Sequence, residues 1–243
     1  TMAHKPTCTT INPTIRATVD ILLRSASMPA LLAILGWRLG ESSAGADFSL
    51  AVGSALWYTA GVWWSLSLPR AVLRKNGLGL SHFGWAVNPC KALARKLFWL
   101  QLLVLPLVFI VTLLEEQNNL AWQESAGRIS FLGLAIWFLI FEHRALKPRG
   151  GSLLDLIDIR RGKGRMRTRR FWYFVGILGP AILIFAAVSG YYYTALRVAS
   201  QLHLMAFYAF CLAIVVEIVI RWVLLERRRL AMEQRKKRVE AQS

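Results

Sequence analysis

The stretch from Leu97 to Leu114 reads LFWLQLLVLPLVFIVTLL and contains no charged side chain. An α-helix rises about 1.5 Å per residue, so a helix over this stretch is about 27 Å long, close to the roughly 30 Å hydrocarbon core of a bilayer. Helices in soluble domains are usually shorter and keep one polar face. The stretch therefore predicts a helix that crosses a membrane.

More apolar runs lie on either side of this stretch, and together they predict an all-α fold, a polytopic transmembrane helix bundle of about six spans. The predicted spans are Val19–Leu39, Phe48–Leu68, Leu97–Leu114, Ile129–Phe141 with extensions to 125–146, Phe171–Tyr191 and Val198–Leu225. The first span is the weakest, because it carries charges. Its Asp20 and Arg24 are four residues apart, and we expect them to pair on one helix face.

The charges between the spans alternate along the chain. The connections after the second and fourth spans are rich in Lys and Arg, whereas those after the first and third carry mainly Asp and Glu. Basic loops stay in the cytoplasm because Lys and Arg resist translocation. The alternation predicts that both termini are cytoplasmic. It divides the chain into a cytoplasmic segment at 1–18, a six-span region at 19–225 and a basic cytoplasmic helical extension at 226–243.

The net charge of +17 would suit nucleic-acid binding, but the basic residues sit between apolar runs instead of covering one surface. The three cysteines and four histidines are far apart, and no HExxH, P-loop, GxSxG or CxxC pattern occurs. We therefore expect no catalytic residues, no metal or cofactor and no nucleic-acid partner.

Glu217 is the one acidic residue deep within an apolar run, and Arg221 follows it by four residues. Ionisable groups inside a membrane are costly, which makes them functional candidates. Two interpretations are open. The two side chains form a structural ion pair, or they make a gating or lipid-sensing contact.

The connection after the fourth span has two parts. Residues 152–159 are short and amphipathic enough to lie on the membrane surface. A polybasic segment follows, which we expect to contact anionic lipid headgroups, although a role in topology alone would also explain it. The candidates for headgroup contact are Arg160, Arg161, Lys163, Arg165, Arg167, Arg169 and Arg170.

The stretch from Arg221 to Glu240 has no helix breaker and is rich in helix-forming residues. The sixth helix is therefore predicted to continue past the bilayer, as a connector to a segment absent from this chain.

Four short motifs follow one another along the chain. They are Ser81–Trp85 (SHFGW), Leu103–Glu115 with its proline, Gly190–Ala195 (GYYYTA), and Arg221-Trp222 followed by Arg228–Ala231 (RRLA). In this order they resemble the inner-membrane region of the large, multi-span members of the small-conductance mechanosensitive channel (MscS) family, the MscK/MscM type. The resemblance implies a tension-sensing region of a bacterial inner-membrane channel that protects against osmotic stress. It also implies a homo-oligomer, a heptamer, whose pore module lies elsewhere in the channel polypeptide.

In such a region Pro106 and Pro180 are candidate kink points, through which tension could change helix tilt.

A transporter or permease component is the alternative function, although only Glu217 resembles the midplane polar group that a transporter site needs. A membrane enzyme acting on lipids would need clustered His, Asp or Glu at the membrane surface. No recognisable motif of that kind surrounds His82 or His143.

The charge alternation predicts that residues 144–170 face the cytoplasm. A cysteine introduced there, in a chain whose three native cysteines are replaced by serine, is expected to react with a membrane-impermeant maleimide only after the membrane is opened. A cysteine replacing Glu41, in a predicted outer loop, should react in intact cells. Labelling of the 144–170 cysteine in intact cells would contradict the predicted topology.

Overall fold

The computed structural model describes residues 12–42, 47–75, 77–117, 122–161 and 166–240. Within these ranges all regular secondary structure is helical, which confirms the predicted all-α class. The helices are α1 (Asn12–Ser42), α2 (Asp47–Val72), α3 (Leu78–Ser81), α4 (Val87–Glu116), α5 (Arg128–Leu146), α6 (Ser152–Arg161), α7 (Met166–Val188) and α8 (Tyr192–Glu240). A π-helical turn, Gln123–Gly127, leads directly into α5.

Five of the described helices are long and apolar enough to cross a bilayer, namely α1, α4, α5 with the turn before it, α7 and α8. The helix α2 is 26 residues long, and Trp, Tyr, Ser and Thr are mixed among its aliphatic residues. It packs against both α1 and α4 and corresponds to the predicted second span. The prediction of a polytopic bundle of about six spans is thus confirmed.

Four helices begin at least five residues ahead of their predicted spans. Helix α1 begins at Asn12, α4 at Val87, α7 at Met166 and α8 at Tyr192. The apolar pattern marks only the lipid-facing part of a helix, whereas the backbone hydrogen bonds continue into its polar flanks. Within α1, Arg24 Nε donates to Asp20 Oδ1 at 2.7 Å, which confirms the predicted pair.

Three buried apolar clusters hold the helices together. The largest lies among α2, α4, α5 and α6, with Cys90 and Leu100 almost fully buried. The second joins the far end of α4 to α5, α7 and the start of α8 around Phe131. The third joins α1, α2 and α3 to the middle of α8 around Val72 and Leu78. Helix α8 is therefore held at its start and at its middle by different sets of helices.

Helix α6 packs on the bundle through its leucines. Ser152, Leu154 and Leu156 are buried, and Leu156 belongs to the largest cluster. Lys96 Nζ of α4 donates to Ser152 Oγ at 3.0 Å. The segment predicted at 152–159 is therefore helical, and its buried leucines pack on α4 and α5. Its position on the membrane surface stays a prediction.

Helices α1 and α2 cross at two glycines. A Cβ added at Gly53 would lie 2.7 Å from the carbonyl oxygen of Gly36, and one added at Gly36 would lie 2.7 Å from the carbonyl oxygen of Gly53. Both distances are too short for a carbon beside a backbone oxygen, so only glycine permits this approach. Small residues at such crossings let membrane helices pack closely.

The variant Gly53→Ala is expected to lower the free energy of unfolding by about 1–3 kcal/mol, because the added methyl group meets backbone atoms that cannot rotate away. Gly61→Ala is the matched control, since Gly61 lies in the same helix with open space around it and should be neutral or slightly stabilising. Thermal unfolding in detergent micelles, followed by circular dichroism, measures both. Equal stability of the two variants would refute the close crossing.

Candidate functional site

Helix α8 links the membrane bundle to the basic C-terminal stretch. It runs without interruption for 49 residues, from Tyr192 to Glu240, which corresponds to about 73 Å of helix. A bilayer with its headgroups takes up about 40–45 Å. The predicted continuation of the sixth helix beyond Arg221 is confirmed.

Arg221 lies at the centre of a group of polar side chains from three parts of the chain. Its Nε donates to Thr14 Oγ1 of α1 at 2.9 Å, and its Nη1 donates to the carbonyl oxygen of His82. The Thr14 hydroxyl lies 3.1 Å from His82 Nδ1, and both residues are buried. We call these three residues the Arg221 cluster. It ties the start of α1 and the α3–α4 connection to α8.

The connection that carries His82 is a tight turn. The φ angle of Gly84 is 68°, a left-handed conformation that glycine adopts without strain. The Trp85 amide donates to the Gly79 carbonyl at 2.8 Å. The Trp85 ring covers Gly79 so closely that an added Cβ would lie 2.6 Å from it. The SHFGW motif therefore holds the His82 carbonyl in place as an acceptor for Arg221.

Glu217 lies one helical turn before Arg221 and is buried, with 7% of its surface exposed. Before it along α8, Phe207, Cys211 and Ile214 pack against the third apolar cluster. The side of α8 that faces the bundle thus changes from apolar to ionic over about two turns. The structural and the gating interpretations of Glu217 both stay predictions.

A second group of polar side chains lies at the start of α8. The Tyr193 hydroxyl donates to Gln123 Oε1. Gln123 Nε2 in turn donates to the carbonyl oxygens of Leu114 and Glu115, at 3.2 and 3.0 Å. Arg197 Nη2 lies 3.5 Å from Glu115 Oε1. We call Glu115, Gln123, Tyr193 and Arg197 the Tyr193 cluster. It ties the start of α8 to the end of α4 and to the π-helical turn.

The turn before α8 positions the Tyr193 cluster. Gly190 has a φ angle of 99°, again a conformation suited to glycine. The neighbouring Tyr192 is buried, and its ring lies edge-on to Phe131 with 5.8 Å between centroids. An added Cβ at Gly127 would lie 3.2 Å from the Tyr192 hydroxyl. The GYYYTA motif therefore supplies a buried tyrosine, Tyr192, and a tyrosine that donates a hydrogen bond, Tyr193.

The two clusters lie about one membrane thickness apart. Tyr193 and Arg221 are separated by 28 residues (193 to 221) of one continuous helix, or about 42 Å. This distance matches the roughly 40–45 Å of a bilayer with its headgroups. We therefore expect each cluster to lie at one membrane–water interface, where charged and hydroxyl groups are tolerated.

The two candidate kink prolines lie inside helices that continue through them. Pro106 in α4 is exposed and Pro180 in α7 is buried. Each proline lacks a backbone donor, so the carbonyl four residues earlier loses its helical partner, which is a common cause of bending. Their action as movable kinks stays a prediction.

The polybasic candidates differ from one another in their surroundings. Arg167 and Arg170 are exposed at the start of α7, whereas Arg169 forms an ion pair with Asp155 of α6. The backbones of Arg160 and Arg161 lie in the last turn of α6, and Lys163 and Arg165 lie outside the described residues. Arg167 and Arg170 are thus the candidates whose described side chains are accessible to lipid.

Of the seven residues in the two clusters, sequence reasoning selects only Arg221 and misses Thr14, His82, Glu115, Gln123, Tyr193 and Arg197. His82 and Tyr193 lie within the quoted motifs, which were the available signal. Thr14 and Gln123 carry no local signal, because their partners are far along the chain. Across the ranges that the structure describes, no group of three or more His, Cys, Asp or Glu could hold a metal ion.

The sequence matches the protein family described as mechanosensitive ion channel inner membrane domain 1 over residues 2–243. The chain belongs to this family. The resemblance inferred from the four motifs is thus confirmed, and the chain is a multi-pass inner-membrane domain. Membership in a channel family does not favour the transporter alternative.

Among curated proteins, the chain is similar to the miniconductance mechanosensitive channel MscM of Escherichia coli (strain K12), with 27% identity over 228 residues. The match covers 93% of this chain and 20% of the relative, so the chain spans about a fifth of the length of the curated relative it matches. No solved structure matches the chain.

Loss of the Arg221 guanidinium should loosen α1 from α8. Arg221→Gln and Thr14→Val are each expected to lower the free energy of unfolding by about 1–3 kcal/mol, because a charged hydrogen bond is lost. In the double variant the two losses in unfolding free energy should not add. We expect an interaction energy of roughly 0.5–3 kcal/mol between the two substitutions. Chemical unfolding in micelles provides these values.

Arg227→Gln is the control for this cycle, because Arg227 is an exposed cation further along the same helix. It is expected to change the free energy of unfolding by less than about 0.5 kcal/mol. Strictly additive effects of Arg221→Gln and Thr14→Val would contradict a direct contact between the two side chains.

Proposed function

We propose that this chain is the tension-sensing, membrane-embedded region of a mechanosensitive ion channel that protects cells from osmotic stress. Its family membership and its similarity to MscM support the proposal. One structural observation carries it: α8 is bonded to other helices at two levels one membrane thickness apart and then continues as uninterrupted helix. Such a helix can carry a change in the bundle to whatever follows it.

Tension favours states that occupy more area in the plane of the membrane. A bundle responds to tension when its lipid contacts differ between two helix tilts. Between its two clusters α8 exposes large apolar side chains, among them Met205, Tyr208 and Leu212. We infer that this surface contacts lipid. Because both ends of the membrane portion are bonded to the bundle, α8 tilts with the bundle instead of sliding past it.

We infer that the Arg221 cluster transmits movement of the bundle to the part of α8 that follows it. It joins α1 and the α3–α4 connection to α8 close to the point where α8 passes out of the bilayer. Glu217, one turn earlier, places a second ionisable group in the same region. Pro106 and Pro180 would let α4 and α7 bend as the bundle changes tilt.

The basic loops supply contact with the inner surface of the membrane. Arg167 and Arg170 are exposed at the start of α7, and anionic headgroups attract such cations by about 1 kcal/mol each. In this arrangement residues 1–18 and 226–243 are cytoplasmic and residues 19–225 cross the membrane.

Other parts of the channel polypeptide would supply the pore. We propose that the complete protein is a homo-oligomer, a heptamer as the family resemblance implies. The extension at 226–243 is then the connection from this region to the pore module. The function requires no enzymatic activity, cofactor or nucleic-acid partner.

Patch-clamp recording of a complete channel that contains this region tests the proposal. Deletion of the region is expected to raise or lower the tension at which the channel opens. Arg221→Gln should change the ratio of open to closed channels at fixed tension by about tenfold, the equivalent of roughly 1.4 kcal/mol. The control Arg227→Gln keeps the cluster intact and should leave that ratio unchanged.

If a channel without this region opened at the same tension as the intact one, the proposal would be wrong. If Arg221→Gln and Arg227→Gln shifted the tension equally, the cluster would have no special part in transmission, and net charge on α8 would account for the effect.

A further inference from the structure

An open groove of about 750 Å³ lies between α4, α5 and α7 and shares no residue with the two clusters on α8. Its lining consists of Lys96, Leu139, Ile140, His143, Arg144, Lys147 and Ile177. The groove therefore combines cations with aliphatic side chains in one place.

The cations and the apolar residues occupy different levels of the groove. On α5, Leu139 and Ile140 lie one helical turn before His143 and Arg144, and Lys147 is the first residue after the helix. The apolar level thus lies towards the middle of the membrane span, and the basic level lies towards its end. An amphipathic molecule with an anionic head would match both levels.

Two acidic residues lie near the basic level: Glu142, whose carboxylate is beside Gly176, and Asp155. Among the described residues that line the groove, none is acidic. Asp155, whose charge also acts on Lys96, is already ion-paired with Arg169. Lys96 Nζ donates to the carbonyl oxygen of Arg144 and to Ser152 Oγ, so this ammonium group is held in position.

The walls of the groove are tied together before any ligand arrives. His143 Nδ1 lies 2.9 Å from the Tyr173 hydroxyl, a hydrogen bond between α5 and α7. The Leu146 side chain of α5 packs directly against Gly176 of α7. A preformed site loses less conformational entropy on binding than one that must be assembled.

We propose that this groove binds one anionic phospholipid, with its phosphate among Lys96, Arg144 and Lys147 and an acyl chain along the apolar lining. Basic pockets between membrane helices bind anionic headgroups by this chemistry. The apolar level favours a lipid over a free phosphate ion, because an ion would leave it empty. The site is distinct from the polybasic segment and does not rest on the proposed role in tension sensing.

The test uses the purified 243-residue chain in neutral detergent, with bound lipid counted by native mass spectrometry. Phosphatidylglycerol is the probe and phosphatidylcholine is the comparison lipid. The double variant Arg144→Gln/Lys147→Gln is expected to bind phosphatidylglycerol roughly tenfold more weakly than the unaltered chain. Lys96 is left unchanged, because it also holds α6.

The double variant Arg227→Gln/Arg228→Gln is the matched control, since it removes two exposed cations from α8. It should bind phosphatidylglycerol as the unaltered chain does. Inorganic phosphate in millimolar excess should not displace the lipid. Because the side chains of Arg144 and Lys147 are exposed, the thermal unfolding temperature should stay the same. If the double variant unfolds earlier, the single variant Lys147→Gln replaces it and should still weaken binding.

Three results would overturn the proposal. Equal loss of binding in the control variant would show general attraction to positive charge. Equal binding of phosphatidylcholine would show that the cations do not select the head. Displacement by inorganic phosphate would show a simple anion site in which the apolar level has no part.

Discussion

A polar group inside a bilayer is costly unless it finds a partner within the protein, and this requirement organises α8. The helix places its polar side chains at levels where other helices offer partners. Tyr193 bonds to the π-helical turn, and Arg221 bonds to α1 and the α3–α4 connection. Between them, His203 Nε2 lies 2.8 Å from Ser65 Oγ of α2. These bonds determine which parts of the chain lie beside α8.

The rest of the bundle depends on close packing, because lipid is as apolar as the helix surfaces and does not drive them together. Glycine provides the closest approaches. Gly36 and Gly53 bring α1 and α2 into backbone contact, and Gly176 lets the Leu146 side chain of α5 lie close to α7. Gly84 and Gly190 have a different use, since their positive φ angles shape the turns that deliver His82 and Tyr193 to the two clusters.

The helices differ in how far their neighbours cover them. Many residues of α2 are buried, whereas α7 and α8 expose large apolar side chains such as Phe185, Tyr208 and Leu212. The domain thus has a part that its own helices cover and a part whose apolar surface is exposed. In the proposed function this difference matters, because tension acts through lipid contacts and must be transmitted by helices that keep their shape.

The sequence by itself determined the properties that depend on local order. The length of the apolar runs predicted about six spans, the spacing of Asp20 and Arg24 predicted their ion pair, and the lack of helix breakers after Arg221 predicted the long last helix. The tertiary structure decided the partners of Arg221, the pairing of Arg169 with Asp155, the packing of α6 and the basic groove beside Arg144. The reason is that these contacts join residues far apart in the chain, and no local pattern records which helices become neighbours.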